Sequence, residues 1–150
     1  MVQVTPEPDR MLWSLWAAKE AAYKAWVRLD PTLVFSPSSF EVILDPVSAG
    51  ATLRRPGHPE ALVVRWSQGP DWVHAVAASG NLRVSAVVRP LSGNESAAVR
   101  SLALQALTEA GYPAGTIDGR PPVYRWEGDE TPLSLSHDGP YGAVAFPSRP

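Results

Sequence analysis

Cysteine is absent from all 150 residues. That excludes disulfides, thiolate metal ligands and cysteine nucleophiles, and it suits a reducing compartment, so a cytoplasmic location is expected. Long hydrophobic runs are also missing. No stretch approaches the ~20 residues that a membrane-spanning helix needs, and no basic region leads into an apolar one near the N-terminus. Neither a membrane association nor a secretory leader is therefore expected. Excess charge of one sign is lacking as well: 13 Lys and Arg face 15 Asp and Glu, for a formal net charge of -2. Without a global basic field, no nucleic-acid partner is expected. There is no Gly-x-Ser-x-Gly segment, which removes the nucleophile elbow of the common serine hydrolases.

What remains is an ordinary globular balance, 45% hydrophobic and 19% charged, in a chain long enough to bury a core without staples. By length it reads as a single domain over residues 1–150. Sixteen prolines are spread along it, which implies short elements joined by stiff turns.

Residues 1 to 8 read as a weakly specified arm. Thr5-Pro6, with Glu7 and Asp9 following, has the chemistry of a helix start. The helix then runs to about Arg28 and stops before Pro31. At about 100° per residue, Leu12, Leu15, Trp16, Tyr23, Trp26 and Val27 share one apolar stripe. From Phe35 to Pro90 the period changes. Ser39–Asp45, Ala51–Arg55, Ala61–Ser67, Trp72–Ala78 and Asn81–Arg89 read as short strands, separated by Pro46, Pro56-Gly57, Gly69-Pro70 and Gly80-Asn81. Ser92-Gly93-Asn94-Glu95 has capping-box spacing ahead of a second helix. That helix carries Val99, Leu102, Ala103, Ala106, Leu107 and Ala110 at helical spacing and stops at Gly111. Thr116–Phe146 reads as two or three further strands. The expected fold class is α+β: two helices packed on an antiparallel sheet.

Two segments carry chemistry. In Trp16-Ala17-Ala18-Lys19-Glu20-Ala21-Ala22-Tyr23-Lys24-Ala25, Lys19 falls inside the apolar stripe. Burying an ammonium there is costly unless it reaches water or an anion. Glu20 and Lys24, four apart, are helical neighbours along the edge of the stripe. The bland reading of that pair is a surface ion pair. The functional one is a carboxylate and a cation gathered for a metal and phosphates. The second segment is Leu133-Ser134-Leu135-Ser136-His137-Asp138. Adjacent strand residues point to opposite faces, so Ser136 and His137 cannot be a nucleophile and its base. His137 reads either as an ordinary strand-end histidine or as a donor to a phosphate.

Together, the Trp16–Ala25 segment, the Ser134–Asp138 segment and the alternating strand Tyr141–Phe146 resemble the 4′-phosphopantetheinyl transferase superfamily. The first matches its W-x-x-K-E-A-x-x-K helix and the second its S-x-S-H strand. The order, helix motif first, is similar to the short holo-acyl-carrier-protein synthase type. The resemblance is closest over residues 10 to 42 and 131 to 146. It implies a Mg²⁺-dependent, cytoplasmic transferase of fatty acid or polyketide biosynthesis. Such an enzyme moves the phosphopantetheine arm of coenzyme A to a serine of an apo acyl or peptidyl carrier protein and releases 3′,5′-ADP. Glu20 then matches the metal-binding glutamate. Lys24 matches a lysine at the phosphates, Lys19 one beside the nucleotide, and His137, with Ser136 next to it, a histidine at the coenzyme A phosphates. Glu20 and His137 would serve one anion pocket. Whether Glu20, a water on the metal or Lys24 takes the serine proton stays open.

The sequence departs from the family in one place. The N-terminal Gly-x-Asp-x-x-Glu strand, whose aspartate is another metal ligand, has no counterpart ahead of Trp16. Met1-Val2-Gln3-Val4 carries no aspartate, and Asp9 lies too close to the helix. The expectation is a domain lacking that Asp-bearing strand, through loss of its natural start, a metal site built differently (Asp138 being one substitute), or decay. The alternative function is accordingly a catalytically degenerate module of the same fold that binds coenzyme A or a carrier protein. A third reading is a structural α+β domain with accidental motif matches. A homo-oligomer is compatible with an exposed sheet edge.

Overall fold

The computed structural model describes residues 2–3 and 10–150, with side chains from residue 10 onward. The expected helix start at Thr5-Pro6 lies outside the described residues. The chain forms two compact units, Val2–Leu82 and Arg83–Pro150. Each has one helix and antiparallel strands, so the α+β class is the one observed.

The first unit runs β1 (Val2–Gln3), α1 (Arg10–Leu29), a 3-10 turn (Pro37–Ser39), β2 (Glu41–Leu44), β3 (Gly50–Arg54), β4 (Leu62–Gln68) and β5 (Trp72–Ser79). The strands form one sheet in the order β1-β5-β4-β3-β2, every pairing antiparallel. Alternation within the strands sends Ala51, Leu53, Leu62, Val64, Val73 and Ala75 into one core with α1. The turns follow from their residues. Asp45 closes the β2–β3 loop by accepting from Val47 N at 2.9 Å. Gly69-Pro70 turns β4 into β5, and Arg10 donates to both carbonyls of that turn, at 3.0 Å and 2.8 Å, which ties the start of α1 to the sheet.

The face α1 buries differs from the predicted stripe. Ser14, Ala17, Ala18, Ala22 and Trp26 are buried, whereas Leu12 is 60% and Trp16 44% exposed. Large side chains dominate a periodicity reading, but a helix laid on a sheet approaches closest through small ones. The alanines make that contact, and buried Ser14 is satisfied by Gln68 Nε2 at 2.8 Å and Arg10 O at 2.8 Å. Trp16 instead packs edge-on against Phe35, ring centroids 5.6 Å apart.

The second unit runs β6 (Val84–Pro90), α2 (Glu95–Glu109), β7 (Thr116–Asp118), β8 (Val123–Trp126), β9 (Asp129–Pro132), β10 (Ser134–Asp138) and β11 (Tyr141–Pro147). Two three-stranded sheets result, β10-β11-β6 and β7-β8-β9. Leu102, Ala103, Ala106 and Leu107 of α2 pack with Tyr124, Leu133, Val144 and Phe146. The helix ends as Gly111 predicts: this glycine takes φ +83°, Tyr112 N donates to Leu107 O and Gly111 N to Thr108 O, a Schellman stop.

Two local expectations are corrected here. The N-cap of α2 is Asn94, whose side chain accepts from Ala97 N at 3.2 Å, and not Ser92. The region after Thr116 holds five strands, not two or three. The unexpected hairpin is β8–β9, turned by Glu127 (φ 41°) and Gly128 (φ 86°), the positive-φ pair that a two-residue hairpin loop demands.

Candidate functional site

The Trp16–Ala25 segment lies wholly within α1. One helical turn brings Glu20 and Lys24 together: Lys24 Nζ is 3.2 Å from Glu20 Oε1, with side chains 43% exposed for the lysine and 32% for the glutamate. Both groups are therefore held near each other yet open to a ligand. Lys19 resolves its apparent conflict with the apolar surroundings by reaching out of them. Its Nζ donates to the carbonyl of Pro37 at 2.6 Å, fastening α1 to the 3-10 turn. An ammonium has three donors, so this bond leaves further N–H capacity. Close by, Phe35 touches both Trp16 and Tyr23, giving this flank of α1 an aromatic wall.

Ser136 and His137 stand on β10 in the second unit. Consecutive on a strand, they point to opposite faces, as expected, with Ser136 half-buried and His137 exposed. His137 pairs across the ladder with Gly142 of β11. Its Nδ1 lies 3.0 Å from Oε2 of Glu95, the first residue of α2. From sequence, Glu95 belongs only to a capping box. Its contact with His137 depends on α2 packing against β10, a tertiary fact with no local signal.

Another polar group of the first unit is buried: His74 of β5 is 6% exposed. Burial pushes its pKa down to about 3, and the positive charge of Lys24 adds to the effect. At neutral pH this imidazole is uncharged.

A divalent cation needs oxygen donors, and few are gathered here. Among the described residues no three His, Asp or Glu side chains form a metal cage. Glu20 offers one half-exposed carboxylate. Magnesium is commonly held by one or two carboxylates, with phosphate oxygens and water completing its shell. The donor set thus suits an ion that arrives with a polyphosphate substrate and not one kept by the protein alone.

One helix on an antiparallel sheet thus carries a paired carboxylate and lysine, with a second lysine on the same element. The family model of the 4′-phosphopantetheinyl transferase superfamily matches residues 2–77, just over half of the chain. The chain belongs to that superfamily. The match takes in α1 with Lys19, Glu20 and Lys24, and β10 with Ser136 and His137 lies beyond it. No curated protein and no solved structure gives a match. Membership supports phosphopantetheinyl transfer as the general chemistry and removes the reading of an unrelated structural domain.

Proposed function

We propose that this protein is a phosphopantetheinyl transferase of the holo-acyl-carrier-protein synthase type, taking coenzyme A as donor and the serine of an apo acyl or peptidyl carrier protein as acceptor. In the reaction the serine oxygen bonds the phosphorus that carries the pantetheine arm. The bond from that phosphorus to the bridging oxygen breaks, 3′,5′-ADP leaves, and the serine proton is lost. Such a displacement is chiefly a matter of alignment and charge neutralisation.

The observation that carries this reading is the Glu20–Lys24 pair, 3.2 Å apart on a helix inside the family-matched segment. Lys24, an ammonium beside its carboxylate partner, brings a positive charge to the pyrophosphate. Glu20 is the side chain that would hold Mg²⁺, which, when bound, supplies charge neutralisation at the phosphates. Lys19 lends its remaining donors to the nucleotide. His137, with Ser136 beside it, contacts a coenzyme A phosphate. The expected setting is the cytoplasm and the biosynthesis of fatty acids or polyketides.

A second reading has one observation in its favour. Among the described residues no group of three His, Asp or Glu side chains forms around Glu20, and hard-cation affinity follows carboxylate count. On that reading the chain is a degenerate module that binds coenzyme A or a carrier protein without transfer. One experiment separates the two. The purified chain is incubated with coenzyme A, Mg²⁺ and a panel of apo carrier proteins, and each carrier is weighed by mass spectrometry. A mass gain equal to the phosphopantetheine arm supports the transferase. Coenzyme A binding by a folded chain with no mass gain on any carrier supports the degenerate module.

A further inference from the structure

We propose that Glu95 is a positioning residue for His137, its carboxylate fixing Nδ1–H of the imidazole so that Nε2 is aimed at a phosphate of coenzyme A. The inference rests on the reading of His137 as a phosphate contact. Three features carry it.

The first is the contact itself, Nδ1 to Oε2 at 3.0 Å, between side chains that are 45% and 52% exposed. The pair is accessible to a ligand, and it joins a strand to a helix that lies far from it in sequence. The second is what stands across the ladder. Directly opposed residues share a face of the sheet, and His137 is opposed by Gly142. Glycine has no side chain to steady the ring. Its space is already taken: a Cβ on Gly142 would come within 2.5 Å of Leu91 Cδ1. The space across the strand thus holds the apolar Leu91 side chain, which offers the ring no polar partner, and the polar contact that orients it comes from Glu95 on the helix. The third is the firmness of Glu95's own position. It is the first residue of α2, directly after the Asn94 cap. The same helix packs through Leu102, Ala103, Ala106 and Leu107 on the core that includes Val144 of β11.

The chemistry follows from the two ring nitrogens. With Nδ1–H committed to the carboxylate, the ring plane and the direction of Nε2 are set. An imidazole so held meets an anion through Nε2–H when it carries both protons. A freely rotating one would have to be ordered at the moment of binding, which costs affinity.

The test uses the full chain and coenzyme A as the titrant in calorimetry, with circular dichroism to confirm folding. Glu95→Ala should weaken coenzyme A binding by about two- to fivefold, the span expected of an exposed pair. Glu95→Gln should restore most of the loss, because an amide oxygen still accepts from Nδ1–H. In a His137→Ala background, Glu95→Ala should change nothing further. Nitrogen-15 spectra of the unliganded protein should show His137 with its proton on Nδ1, and that preference should vanish in Glu95→Ala. If His137→Ala weakens binding while Glu95→Ala does not, the positioning role is overturned and the phosphate role of His137 stands. The positioning role is equally overturned if Glu95→Gln is as damaged as Glu95→Ala, since charge and not orientation would then be at work. If His137→Ala leaves affinity unchanged, or the intact chain does not bind coenzyme A, the underlying reading of the site falls with it.

Discussion

Lys24 Nζ rests 3.2 Å from Glu20 Oε1, one turn along the same helix. An exposed pair of this spacing contributes only about 0.2–0.5 kcal/mol to stability. Glu20→Gln keeps the shape and removes the charge, so the melting temperature should barely move while metal-dependent transfer to the carrier protein is lost. Thermal melts and the mass-gain assay measure both. A steep fall in melting temperature with transfer intact would make Glu20 a structural residue instead.

His137 calls for a different split. If it holds a coenzyme A phosphate in ground state and transition state alike, His137→Ala should raise KM for coenzyme A with little change in kcat at saturation. Steady-state kinetics over a range of coenzyme A concentration reads this directly. An unchanged KM with a reduced kcat would assign the imidazole to the chemical step.

Lys19 serves the fold whatever else it does. Its ammonium donates to Pro37 O at 2.6 Å, and hydrogen bonds to charged groups are worth about 1.5–3 kcal/mol. Lys19→Met retains the apolar stem and loses the donor, so urea unfolding should show destabilisation of that order. A variant as stable as the parent would show that the bond to Pro37 contributes nothing net.

His74 makes stability depend on pH. Unfolded, it titrates near 6.5, and folded, at about 3. Between those values the unfolded chain binds a proton that the folded chain refuses. Stability should therefore fall as pH drops below 6.5, by up to about 1.4 kcal/mol per unit. Melting temperatures measured from pH 7 to pH 5, above the main carboxylate range, should show the slope, and His74→Gln should flatten it. Identical slopes in the two proteins would dismiss His74 as the source.

Much of this is legible in the chain, for physical reasons that can be named. Strands β2 to β6 are readable because alternating apolar positions sit between Pro- and Gly-bearing turns, and both signals are local. The buried face of α1 is not, because Leu12 and Trp16 outweigh Ala18 and Ala22 in any periodicity, although the sheet selects for closeness. The β8–β9 hairpin escapes notice because Asp129-Glu130-Thr131-Pro132 is polar for a strand, and its turn begins with a glutamate in a conformation usually left to glycine or asparagine. At the site, Glu20 and Lys24 are readable as neighbours from helical spacing alone. Glu95 is visible only as a helix-start residue, since its partner His137 is brought to it by packing.

Strand β2 closes one side of the first unit's sheet, with Ile43 and Leu44 both substantially exposed. An open rim of that kind invites another chain to dock along it. Two copies meeting head to tail about Ile43 would, however, set Glu41 of each against Asp45 of the other. Like charges in opposed positions repel, so such a pairing would be disfavoured. Neutralising Glu41 alone would spare the Asp45 bond that closes the β2–β3 loop and would expose concentrated solutions to clumping and fibre growth.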